Sequence, residues 1–109
     1  MDNIRCTNEL LNFLSSSPTA FHAVDEMGKI LLENGFIKLF EGDKWNLVKG
    51  GKYFVTRNMS SIIAFAIPEN DASSFAITAS HTDSPALKLK PTCEVDTFGK
   101  YVRLSVEVY

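Results

Sequence analysis

Apolar residues recur at intervals of three and four as far as Gly35, and beyond it they gather into short blocks of strand formers. That change of period confines the chain to an α/β fold in which two helices precede a sheet. Ile4, Leu10, Leu11 and Leu14 share one side of a first helix that Asp2 is placed to cap, and the run Ser15-Ser16-Ser17 stops it. Ser17 followed by Pro18 fits a cap with proline at the first position of a second helix, on which Phe21, Val24, Met27 and Leu31 return to one face. Gly35 ends that helix as a left-handed terminator. His22, beside Phe21, has no paired ligand four residues on and reads as a capping or packing residue.

Past Gly35, Phe36 to Leu39 predicts a short strand, and Glu41-Gly42-Asp43-Lys44 a turn leading to Trp45, a packing residue. Gly50-Gly51 opens a hairpin whose arms are Lys52 to Thr56 and Ile62 to Ile67, joined through Arg57-Asn58-Met59-Ser60. Ser74 to Ala79 is short and mostly apolar, as in a strand buried on both faces of a parallel sheet. After Pro85, Leu87 and Leu89 alternate with Lys88 and Lys90 until Pro91 closes the element. In Tyr101 to Tyr109 the valines and leucine alternate with arginine, serine and glutamate, the pattern of a half-buried antiparallel strand. The sheet type thus switches near Pro85. No turn or polar tail follows this strand, so the chain is expected to be an amino-terminal portion of something larger.

The chemistry concentrates in Ser80-His81-Thr82-Asp83-Ser84-Pro85, at the expected carboxyl end of the Ser74 to Ala79 strand, where ligands of open α/β sheets gather. In an extended chain, side chains two residues apart share a face, so Asp83 can accept a hydrogen bond from one ring nitrogen of His81. The other nitrogen is then open to a metal, with the carboxylate behind the ring fixing its tautomer. Taken alone, the triplet also fits a histidine merely satisfied by its neighbours. A catalytic zinc takes about three protein ligands, and this chain has two histidines, so the rest of any site lies elsewhere.

Several classes are disfavoured. Thirteen acidic and eleven basic residues, with the lysines scattered, leave no electrostatic footprint for nucleic acid. No apolar stretch approaches the roughly 20 residues that span a bilayer, and the amino terminus lacks the layout of a signal peptide, which together point to the cytoplasm. Cys6 and Cys93 form neither a CxxC knuckle nor a disulfide framework and are expected to be reduced, and buried or inert. Ser84 lies in no Gly-x-Ser-x-Gly elbow, and Gly50-Gly51 lacks the spacing of a phosphate loop. Arg57 and Lys88 are ordinary surface cations that say nothing about substrate charge.

Four stretches, taken in order, are similar to the start of the aspartyl aminopeptidase family. They are Phe13-Leu14 through Ser17-Pro18-Thr19-Ala20-Phe21-His22-Ala23-Val24, then Gly50-Gly51-Lys52-Tyr53-Phe54-Val55-Thr56-Arg57-Asn58, then Ser80 through Pro91, and finally Val106-Glu107-Val108-Tyr109. The resemblance implies a two-zinc exopeptidase that removes acidic residues from the amino termini of peptides. It makes His81 a ligand of one of the two ions and Asp83 the catalytic carboxylate supporting it, with the remaining ligands and the general base beyond Tyr109. It further implies a zinc-peptidase α/β sandwich, two helices and then a mixed sheet, whose first segment is residues 1–85. Residues 86–109 would begin an inserted β-rich dimerisation domain, and subunits would assemble into a homo-oligomeric dodecamer. Imidazole and carboxylate donors accept zinc, cobalt or manganese. Another two-zinc exopeptidase or deacylase with a different specificity, or a non-catalytic scaffold or oligomerisation piece, remain open alternatives.

Overall fold

A computed structural model describes residues 3–71 and 73–108 of the chain. Two helices, α1 (Asn3–Ser16) and α2 (Ala20–Glu33), are followed by β1 (Ile37–Leu39), β2 (Lys52–Arg57), β3 (Ser61–Ala66), β4 (Leu87–Thr97) and β5 (Tyr101–Val108). The first three strands make a mixed sheet in which β1 runs parallel to β2 and β2 antiparallel to β3; β4 and β5 form a separate antiparallel pair. The α/β architecture, with two helices followed by a mixed sheet, is the one the sequence predicts.

The second helix begins two residues later than expected. Thr19, in extended conformation, is the cap, and its hydroxyl accepts from the His22 N–H at 3.4 Å while lying 2.8 Å from His22 Nδ1. Pro18 therefore precedes the cap, and Ser17 Oγ is buried without a hydrogen-bond partner among the described residues. Asp2 lies outside the described residues. At the other end Gly35 takes a φ of +80°, Phe36 N–H reaches the Leu31 carbonyl at 3.0 Å and Gly35 N–H that of Leu32 at 3.1 Å. These are the two bonds of a Schellman termination.

Phe54 is the centre of the core, at 1% exposure, with Tyr53 and Val55 beside it on β2 and Ala23 and Val24 on α2. Three consecutive buried residues on one strand require a cover on both faces. α2 supplies one, with Gly28 against the Phe54 ring. Residues 40–51 supply the other. Trp45 packs on Phe65 at 6.2 Å and Tyr53 on Phe65 at 5.7 Å, while the indole N–H donates to the Phe40 carbonyl at 2.8 Å. Trp45 is thus the packing residue the sequence predicts.

Three expectations are corrected. Ser74 to Ala79 forms no strand: it pairs with nothing among the described residues, and Phe75 and Ile77 are 92% and 85% exposed. A strand buried on both faces exists only where flanking strands satisfy its backbone, and the described residues offer none. Pro91 does not close its element. It sits inside β4 at a register shift, where Lys90, Pro91, Thr92 and Cys93 face only Ser105 between the pairs Leu89↔Val106 and Glu94↔Leu104. An irregularity of this kind is where a strand tolerates a residue without an N–H. Finally, β5 is antiparallel as expected but not half-buried, since among the described residues no layer covers Val102, Leu104 or Val108. The cysteines are free thiols, Cys6 exposed and Cys93 half-buried, not enclosed.

Candidate metal-ligand site

His81 and Asp83 lie in the connection between β3 and β4, outside any strand. His81 Nδ1 is 3.0 Å from Asp83 Oδ1 and 2.9 Å from the Asp83 carbonyl oxygen. A carbonyl oxygen only accepts, so the proton of the neutral ring must sit on Nδ1. Nε2 is left with a bare lone pair, on a side chain that is 78% exposed. The pairing expected from the spacing is therefore present, with a second acceptor that side-chain geometry alone does not announce.

The site reaches the sheet through the residue between them. Thr82 Oγ1 donates to the Ser60 carbonyl at 2.8 Å, which seats the loop at the β2–β3 turn. That turn follows the last residue of β2, and β1 runs parallel to β2, so the site lies at the carboxyl end of the parallel pair, as the topology of ligand sites in open sheets requires. It arrives there by a hydrogen bond and not on a strand of its own.

Other candidate groups are engaged elsewhere. His22 caps α2. Arg57 forms a fork with Glu41 at 2.6 and 2.9 Å, which holds the Glu41 carboxyl below its ordinary range and raises the Arg57 guanidinium further. Its charge is answered within the chain. Lys88 also has a partner. A groove of about 530 Å³ between α2 and β2, lined by Phe21, Val24, Gly28, Lys29, Phe54 and Met59, includes neither His81 nor Asp83. Among the described residues no three histidine, cysteine, aspartate or glutamate side chains converge on one point. The donor set therefore fits zinc as a single ligand with its supporting carboxylate, and not as a complete cage.

The helical pair, the mixed sheet and a histidine backed by a carboxylate at the strand ends make up an α/β segment that carries one candidate metal ligand. Residues 13–109 match the family described as Aminopeptidase I zinc metalloprotease (M18), and the chain belongs to that family. It is 44% identical to a "Probable M18 family aminopeptidase 2" of Clostridium novyi over 99% of this chain and 25% of that protein. It is also 44% identical to a "Probable aspartyl aminopeptidase" of Ricinus communis over 99% of this chain and 22% of that one. Among solved structures, a subunit in the "Cryo-EM structure of the Ape4 and Nbr1 complex" superposes with a TM-score of 0.82 at 42% identity, covering 95% of this chain and 20% of that one. The "Structure of S. cerevesiae mApe1 dodecamer" gives a TM-score of 0.71 at 29% identity, covering 94% and 24%. The chain thus spans about a quarter of the length of the curated relatives it matches.

Proposed function

We propose that the chain is the amino-terminal part of an aminopeptidase with two metal ions that removes aspartate or glutamate from peptide amino termini. His81 is a ligand of one ion through Nε2, and Asp83 is the catalytic carboxylate behind it. The observation that carries the reading is His81 Nδ1 lying 2.9 Å and 3.0 Å from two oxygens of Asp83, an arrangement that places the ring proton there and leaves Nε2 to donate to a metal. Zinc bound there supplies Lewis-acid polarisation of a scissile carbonyl and an acidified water. What the chain itself supplies is direction and basicity: Asp83 fixes the tautomer, strengthens the imidazole as a donor and keeps the ring from turning.

Residues 1–85 belong on this reading to the catalytic domain and residues 86–109 to an inserted β-rich dimerisation domain, in keeping with two sheets that share no ladder. A homo-oligomer is proposed by likeness to the dodecameric relative, with peptides as substrates, and cobalt or manganese as possible replacements for zinc. No helix among the described residues is long and apolar enough to cross a membrane, and two free thiols fit a cytoplasmic protein.

The test is His81→Ala in the full-length protein, assayed for bound metal and for hydrolysis of Asp-, Glu-, Leu- and Lys-capped substrates. Loss of metal together with loss of hydrolysis of the acidic substrates is expected. Full zinc occupancy with near-normal turnover would overturn the ligand assignment, and a preference for Leu or Lys would replace the acidic specificity.

A further inference from the structure

We infer that Thr82 is a positioning residue: by tethering its loop to the β2–β3 turn it sets where the free nitrogen of His81 points. This rests on His81 being a metal ligand. From residue 73 to residue 92 every residue is exposed except Thr82. Residues 73–86, ahead of β4, belong to no ladder among the described residues, and their large apolar side chains Phe75 and Ile77 are bare, so packing there does not hold the segment. The bonds between His81 and Asp83 fix ring against carboxylate but close on the loop itself, as does the 3.4 Å contact of Ser80 Oγ with the His81 carbonyl. They would move with the loop as one piece. The Thr82 hydroxyl supplies the missing reference to the sheet, because its partner is the Ser60 carbonyl.

That acceptor is a firm one. Ser60 N–H donates to the Arg57 carbonyl at 3.1 Å, and Asn58 and Met59 both take left-handed φ values, 51° and 55°. Non-glycine residues adopt that conformation only when their surroundings impose it, and here the paired strands on either side do so. The position of the Ser60 oxygen is therefore set by the β2–β3 ladder, and Thr82 passes that position to the residues on either side of it.

The experiment compares Thr82→Val, of the same shape without the donor, with Thr82→Ser, which keeps it, in the full-length protein. Zinc affinity is measured by chelator competition, kcat and KM are measured on an Asp-capped substrate, and thermal unfolding serves as a control for folding. Thr82→Val is expected to weaken zinc binding by about 10- to 100-fold, the usual effect of removing an outer partner of a ligand, and to lower kcat with little change in KM. Thr82→Ser should stay close to the parent. Parent-like affinity and kcat in a folded Thr82→Val protein would overturn the inference, as would a serine variant as impaired as the valine one. Should Thr82→Val fail to fold, Thr82→Ala measured in the same way decides. His81→Ala separates the two levels: if it keeps its zinc the ligand reading fails, whereas if it loses zinc and Thr82→Val does not, only the tether fails.

Discussion

A single imidazole proton organises the site. Because both the side chain and the main chain of Asp83 accept it, the two oxygens are not equivalent in what their loss would do. Asp83→Ala leaves the carbonyl at 2.9 Å in place, so the tautomer survives while the negative charge is lost. In the full-length protein we expect zinc affinity to fall by about 10- to 100-fold and kcat to fall with it, without the complete loss of metal expected for His81→Ala. Chelator competition on the two variants side by side checks this, and equal, complete loss would mean that the carbonyl does not hold the ring. The carboxylate contact was legible in the sequence because two residues of extended chain bring side chains to one face. The carbonyl contact and the Thr82 tether were not, since each depends on how the chain bends after residue 79, and no spacing rule encodes that bend.

Among the elements, the helices and the β2–β3 hairpin carry local signals strong enough to be read directly: apolar spacing, a terminating glycine, and strand formers between turns. The Schellman termination of α2 is the clearest. A Cβ at Gly35 meets nothing within 4 Å, so Gly35→Ala costs only what a left-handed alanine costs, about 1–2 kcal/mol. Urea denaturation is expected to show that loss, and an unchanged midpoint would mean that the turn relaxes out of the left-handed region. The elements read incorrectly share one cause. Ser74 to Ala79 has the composition of a buried strand, but composition states only what a segment tolerates, and a strand forms when a neighbour offers its backbone groups. Pro91 likewise marks an end only where the partner strand is in even register, and β5 is not. The cap moved from Ser17 to Thr19 because both residues can cap, and the extended backbone at Thr19 lets its hydroxyl meet the third helical N–H.

At the level of the whole molecule, the radius of gyration is 19.9 Å, against about 13 Å for a compact domain of this length. Five buried apolar residues on α2 and β2 form the core among the described residues, and the β4–β5 pair adds none to it. With one ligand and no converging set, the 109 residues prepared alone are expected to release no aspartate from an Asp-capped peptide, with or without added zinc. Turnover by the purified piece would show that a metal centre forms from these side chains after all. The irregular middle of β4 has one more effect. A ribbon of two strands presents both outer rims to any extended chain that drifts past, and a rim with even hydrogen-bonding groups invites accretion strand upon strand. Midway along β4 the ring of Pro91 offers no N–H, and four residues crowd opposite one, so a stranger zipping along that rim would lose its footing halfway. The register shift thus breaks the evenness of one rim of an arm rich in apolar side chains.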